Sequence, residues 1–481
     1  MDMMQIPAPG ATIEQMIPTS VRDKFDVLVC GGGTAGCVAA LAAARAGART
    51  LLVERHGYLG GMMTAGNAGL TKYIKHDKSQ TAYRDILDRL AVDPQAVQVV
   101  GGLPMAITQR LIDSGAGLGT AGKAGSYVFT SQQDFKYMLL EMLQSAGVHF
   151  LLHSQVVDVW RQGERIAGVV VENKSGRQAW LAGMVIDATG DGDVAWRAGV
   201  PYVLGVGPDD MAFQQGVPAG TMQHMGVMFR VANIDIDPFL EYLAAFPDRF
   251  AIQPFGLMDY AQVRQAYRRN EMAVFCVNNV PEAGFQIYNT PIPGIFTFCC
   301  PTYAGNGTDV DDLTQAELFM ASEVARRMHG LKQLPGFAAA VLLDVPEICV
   351  RETRHIQGEY VLNIQDILGD RSFPDSIGRG CHPIDIQPIP PELRQYPLRD
   401  WSFAIPYRSL VARGIDNLLL AGRCISCTHE ASGCTRVTAQ CMITGEAAGT
   451  AAALSLDRGC PARDLPLVLL QNKLRQNGVI L

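Results

Sequence analysis

The sequence predicts an α/β protein: a parallel-sheet β-α-β domain carrying a small β-meander, interrupted by an inserted α+β domain. Three observations predict it. The apolar run Phe25–Cys30 meets a glycine cluster, an alanine-rich stretch from Ala35 to Ala46 follows, and a second apolar run, Thr50–Val53, ends at Glu54. That is the length of one β-α-β unit. Runs of the same buried-strand type return at Met184–Ala188 and Asn417–Leu420. Between them the pattern changes, and prolines and aromatics become frequent. The chain therefore divides into an arm over 1–22, a first part of the sheet domain over 23–199, a substrate or cap domain over 200–400 and a C-terminal part of the sheet domain over 401–481.

Along the chain, Gly47 ends the first helix. Residues 57–130 carry glycines and short helical patterns without a repeat. A helix is expected over Gln132–Ser145 and a strand over Val148–Leu152. Gln155–Val159, Arg165–Val171 and Gln178–Leu181 read as the meander, with Asn173-Lys174-Ser175-Gly176 as a turn. Val227–Val231 and Phe285–Tyr288 are strand-like, Leu313–His329 is helical, and a helix of small residues is expected over Cys434–Leu456.

Of the 481 residues, 48% are hydrophobic and 18% charged, which excludes a disordered or fibrous chain. Lys and Arg number 40 against 47 Asp and Glu, a net charge of -7. Without a basic surplus a nucleic-acid binder is not expected. The first twenty residues lack a basic-then-apolar run, so no signal peptide is expected. The longest apolar stretches are interrupted by Gly, Arg or Glu, so no membrane span is expected. The 12 cysteines then read as reduced thiols of a cytoplasmic protein.

Gly31, Gly33 and Gly36 form a G-x-G-x-x-G between strand and helix, with Thr34 and Ala35 inside it. The first glycine permits the tight turn, the second admits a pyrophosphate to the backbone, and the third lets helix and strand pack closely. The helix N-terminus offers free N–H groups to the phosphates. Glu54 ends the next strand, where a carboxylate accepts hydrogen bonds from ribose hydroxyls. This is a Rossmann-like unit. Gly117–Gly122 repeats the spacing but follows a helix-like stretch and lacks the acidic partner, so it reads as a loop. Three further features favour FAD over a nicotinamide cofactor: Gly60-Gly61 after Glu54, the strand Ile186-Asp187-Ala188-Thr189-Gly190, and Leu420-Ala421-Gly422-Arg423 near the C-terminus.

Together these motifs resemble the FAD-dependent oxidoreductase family within the glutathione-reductase-type flavoprotein superfamily. The resemblance extends to Arg351-Glu352-Thr353-Arg354-His355-Ile356-Gln357-Gly358-Glu359-Tyr360, similar to that family's R-E-T-R-R-I-x-G-x-Y, with His355 in place of an arginine. It implies that Gly31, Gly33 and Gly36 hold the pyrophosphate and Glu54 the ribose. It implies that Gly60 and Gly61, flanked by Arg55 and Met62, line the path toward the flavin. Val156 stands where the meander contacts adenine, and Ala188 and Gly190 pack near the adenosine half. Gly422 and Arg423 would lie along the ribityl chain and pyrophosphate. A helix beginning near Gly433-Cys434-Thr435 would aim its N-terminus at the N1–C2=O edge of the isoalloxazine.

The resemblance implies hydride transfer between flavin N5 and a small hydroxylated or carboxylated substrate, with a separate electron acceptor. His429 is the candidate acid or base, against a histidine that only braces the loop. Arg351 and Arg354 are candidate clamps for a carboxylate, against salt bridges with Glu347, Glu352 or Glu359. His382, Arg379, Arg408, Arg436 and Tyr407 are weaker candidates. Cys424-x-x-Cys427, Cys434 and Cys441 read as core packing rather than as a dithiol or metal site, so no metal is expected. His56 and His76 are candidates for covalent flavin attachment. The alternatives are a flavin monooxygenase using NAD(P)H and oxygen, or a flavin protein that modifies a macromolecule. A homo-oligomer stays open.

Overall fold

A computed structural model of the chain describes residues 12, 16–67, 70–71, 74–75, 97–119, 127–210, 214–246, 260–277, 285–388, 390 and 402–481. Two bodies with separate cores lie on either side of one cavity.

The first body is built on β1 (Ser20–Cys30), α1 (Thr34–Arg45) and β2 (Thr50–Val53). Strand β1 starts five residues before the expected Phe25, inside the expected arm. It continues through β3 (His149–Leu151) and the meander β4 (Gln155–Gln162), β5 (Arg165–Asn173) and β6 (Gly176–Asp187). The sheet order is β3-β2-β1-β6-β5-β4, with Leu418–Leu420 also pairing on β6. The sequence divides β6 into two strands. In the fold it is one, because β1 supplies parallel partners along its length, from Ser20 opposite Gln178 to Cys30 opposite Asp187. Its early half pairs antiparallel with β5, and its end reaches the ligand-facing edge of the sheet.

The C-terminal helix is broken. Residues His429–Thr435 form one short helix and Thr438–Arg458 a second, with Val437 extended at the junction. Cys434 and Cys441 therefore sit on different helices, and their spacing is not one helical face. The second helix packs on α1 through Gly445 and Gly449. A Cβ there would stand 2.3 Å from the Ala35 carbonyl oxygen and 2.1 Å from that of Ala39. Small residues are what let the two backbones approach.

Glu446 on the same helix is buried. Its carboxylate accepts the Leu103 N–H, 2.8 Å away, at the start of helix Gly102–Asp113. Burial raises its carboxyl from 4.5 to about 7, against the pull of that N–H. A raised carboxyl favours the protonated fold, so its contribution is complete below pH 4.5 and is lost as pH rises through about 7. Glu446→Gln should melt with a flatter pH dependence over that interval, gaining on the wild type as pH rises. Parallel melting curves would refute the assignment.

The second body is a five-stranded antiparallel sheet. In sequence its strands are β7 (Met225–Ala232), β8 (Val274–Val277), β9 (Phe285–Asn289), β10 (Phe296–Tyr303) and β11 (Val341–Asp344), and in space the order is β8-β9-β10-β7-β11. One face carries Phe229, Ile287 and Phe298 against helices that include Val310–Leu331. Residues of this core run from Met225 to Ile348. Ile356, Leu362, Ile364, Ile384 and Ile386 belong instead to the first core. The bodies meet at a polar junction: Asn67 donates to the Met228 carbonyl and to Asp344, and Arg230 pairs with Asp344 and Gln132.

Candidate active site

A cavity of about 610 Å³ runs from the C-terminal ends of β1, β2 and β6 to the open face of the second body's sheet. At its first end the glycine loop forms the floor. Gly31 has φ +100, and Gly33 caps α1 with no side chain on the helix's free N–H groups. Gly31, Gly33, Thr34 and Ala35 line the cavity, and Gly36 does not. Gly36 lies behind the loop against the Gly31 carbonyl, which makes it the close-packing glycine of the motif.

Glu54 and Arg55 also line this end. The Glu54 carboxylate is braced already: Oε2 accepts the Gly32 N–H at 2.6 Å and Oε1 the His56 N–H at 2.8 Å. Each oxygen keeps a lone pair for a ribose hydroxyl. Val156 and Ala188 close the side. Asp187, to which the sequence motifs assign no role, holds the loop that follows. It accepts Thr189 N–H, Thr189 O–H (2.7 Å) and Ala195 N–H (2.8 Å), while burial raises its carboxyl to about 6.

In the middle stretch Gly61, Met62, Gly190, Gly422 and Arg423 line the cavity. Gly60 stands behind, bonded through its N–H to the Gly32 carbonyl at 2.9 Å. Arg423 is paired with Asp191 at 2.7 Å, so its charge is already met within the protein. The free helix N-terminus expected at Gly433 and Thr435 is absent there, since both are buried off the cavity. Val437 and Thr438 face the cavity instead, and Val437 provides no side-chain cap for the helix that starts at Thr438. The helix break at Arg436 and Val437 moved that terminus.

The candidate catalytic residues separate. Arg351 lines the cavity and donates to the His224 carbonyl. Among the described residues no carboxylate lies within ion-pair distance of it, unlike Arg436, paired with Asp385 at 2.8 Å. Arg354 is outside the cavity, bonded to Asp193 at 3.0 Å and lying over the Trp196 ring. His429 is 2% exposed and off the cavity, with Nδ1 2.7 Å from Glu352. The same Glu352 oxygen meets His355 Nε2, and the other accepts the Gln223 N–H at 2.7 Å. His382 does line the cavity, its Nδ1 2.7 Å from the Pro383 carbonyl. Cys424 and Cys427 are buried, and burial holds the Cys424 thiol far above its ordinary range. His56 lines the cavity mouth, while His76 lies outside the described residues. Among the described residues no cluster of His, Cys, Asp and Glu could hold a metal, and no helix is long and apolar enough to cross a membrane.

A glycine turn, an uncapped helix N-terminus, a strand-end carboxylate and a second contributing segment 390 residues downstream define a dinucleotide-binding α/β oxidoreductase. The chain belongs to the FAD dependent oxidoreductase family, whose model matches residues 26–474, and FAD is its cofactor. It is 29% identical over 232 residues to a digeranylgeranylglycerophospholipid reductase 2 of Methanothermobacter thermautotrophicus, covering 47% of this chain and 52% of the relative. A digeranylgeranylglycerophospholipid reductase of Thermoplasma volcanium is 26% identical over 219 residues, covering 45% and 49%. The chain thus spans about half the length of the curated relatives it matches. Among solved structures, a geranylgeranyl bacteriochlorophyll reductase-like protein of Thermoplasma acidophilum aligns with 94% of this chain and 83% of its own at 14% identity, TM-score 0.45. The p-nitrophenol 4-monooxygenase of Pseudomonas putida aligns with 95% and 89% at 13% identity, TM-score 0.43.

The cradle fits FAD. The space above Gly33 is open to a phosphate, since a Cβ there would meet only the Gly61 Cα, 4.0 Å away. The N–H groups at the start of α1 have no side-chain partner.

Proposed function

We propose that the protein transfers a hydride between a small organic acid and FAD. The observation that carries this reading is the continuity of one cavity from the glycine loop to Arg351. Gly31, Gly33 and the start of α1 hold the pyrophosphate, Glu54 the ribose and Val156 the adenine. FAD, when bound, supplies the hydride acceptor or donor. Arg351 binds the substrate carboxylate, because a guanidinium in a cavity wall with no carboxylate at ion-pair distance gains most from an anion brought into bonding contact. His382 handles the substrate proton. With Nδ1–H donated to the Pro383 carbonyl, Nε2 is the ring's acceptor. His429 loses that role to His382, since a buried imidazole bonded to Glu352 is a positioning group.

Anaerobic mixing with a panel of organic acids tests the reading. A competent acid alone should change the flavin absorbance. A requirement for NAD(P)H would favour the monooxygenase alternative, and a response to neither would favour a macromolecular substrate. Arg351→Ala should raise KM by about 10- to 100-fold, the worth of a charged hydrogen bond, with kcat little changed. An unaltered KM would remove Arg351 from the substrate site.

A further inference from the structure

We infer that the substrate is an anionic amphiphile: one acidic group on an apolar body, rather than a polyhydroxylated acid or a dicarboxylate. This rests on the proposed FAD site and concerns only what lies opposite it.

The strand register shows why. Along β7, β9 and β10 alternate side chains face opposite sides of the sheet. Phe229, Ile287 and Phe298 point into the second core. Their neighbours point the other way and roof the cavity. Met228 pairs with Cys299, and Cys299 with Gln286, in one row across three strands. Tyr288 and Val274 pair in the next row. All five line the cavity and none carries a charge. Gln286 accepts the Tyr288 hydroxyl through its amide oxygen, which places that hydroxyl proton within the roof. Phe129 stacks on Tyr288 with ring centroids 4.4 Å apart and also lines the cavity. Phe129, Tyr288 and Val274 form a small separate core with Leu118 and Met272, which stiffens the roof.

Arg351 lies at the start of β7 on that same face, its guanidinium 2.9 Å from a Cβ placed on Gly226, and His382 and the Asp385–Arg436 pair also line the cavity. The cavity is thus polarised along β7, with a cation that has no carboxylate within ion-pair distance beside Gly226 and neutral, mostly apolar groups from Met228 onward. Hydroxyls or a second carboxylate held against Met228, Val274 and Phe129 would lose water without gaining partners. Methylenes there would gain.

The test titrates the FAD-loaded enzyme with butyrate, hexanoate and octanoate, and in parallel with octanol, succinate and gluconate. Binding is read from the perturbed flavin spectrum and from the shift in melting temperature. Affinity should rise about fourfold per added methylene along the acid series. Octanol should bind at least tenfold more weakly than octanoate, about the worth of a charged hydrogen bond. Met228→Gln should flatten the chain-length dependence while FAD content stays at the wild-type level. Cys299→Ser is the second roof variant should the first fail to fold, with the same expected flattening. Succinate or gluconate binding as tightly as octanoate overturns the inference. So does a flat acid series, octanol matching octanoate, or silence toward every acid with FAD in place. A protein that takes up no FAD overturns the flavin reading itself, an outcome seen before any acid is added.

Discussion

Gly36→Ala is expected to yield a protein that neither holds FAD nor folds its first body stably. A Cβ at Gly36 would stand 1.8 Å from the Gly31 carbonyl oxygen and 3.1 Å from the Ala188 side chain. The struck atom is backbone, so no rotamer change relieves the contact. Gly31 cannot retreat, because it holds φ +100 with its own Cβ position 2.5 Å from the Ala188 carbonyl oxygen. Either α1 moves off the sheet or the loop is remade, at a cost of about 3 kcal/mol or more. Gly33→Ala provides the contrast. Its backbone, φ -68, suits any residue, and the nearest atom to the new methyl is 4.0 Å away. That variant should fold and melt near wild type yet hold FAD more weakly, since the methyl occupies cavity space. Circular dichroism melts and flavin stoichiometry together decide. A Gly36→Ala protein with normal FAD content would mean that α1 does not pack in the arrangement described.

Glu352→Ala is expected to destabilise the protein by about 3–5 kcal/mol, the usual cost of stripping one partner from a buried charged cluster. The carboxylate is buried and receives His355, His429 and the Gln223 N–H. Burial alone would raise its carboxyl, but the two imidazoles outweigh burial and hold it at about 2. Burial alone would lower His355, yet its contacts with Cys427 and Glu352 carry it up to about 10. The signs follow. Glu352 contributes stability above pH 4.5 that is lost as pH falls through about 2. His355 contributes stability below pH 6.5 that is lost as pH rises through about 10. Both are complete between pH 4.5 and 6.5, and the wild-type advantage over Glu352→Ala should be widest there. Denaturant unfolding of the two proteins across pH measures it, and a constant difference would refute the cluster's role. The adjacent Arg351 should suffer as well, because Glu352 anchors the segment that presents it.

The cofactor half of the site was legible because its determinants are short-range. A glycine spacing of two and three, a strand before it and an acid after the next strand all lie within residues 25–54, and local sterics alone give them meaning. Val156, Ala188, Gly190, Gly422 and Arg423 came from the family resemblance, and all five line the cavity. The catalytic half was less legible. His429 sits between two cofactor segments in sequence, which suggested proximity to the substrate, but its ring turns toward Glu352, 77 residues away. Arg351 and Arg354 are equivalent in composition. Only the positions of Asp193 and Trp196 occupy the second and leave the first facing the cavity. The roof carried no sequence signal, since Met228, Cys299, Gln286 and Tyr288 form no motif until strand register aligns them.

By itself the sequence determined the β-α-β unit, the return of its strand type further along the chain and the class of cofactor. Those depend on backbone conformation over a few residues and on hydrophobic period, which chain neighbours set. The tertiary structure decided which cation is left without a carboxylate, where the second helix N-terminus opens and which strand face meets the ligand. Ion pairing and facing depend on distances between segments hundreds of residues apart, and no local propensity encodes those distances.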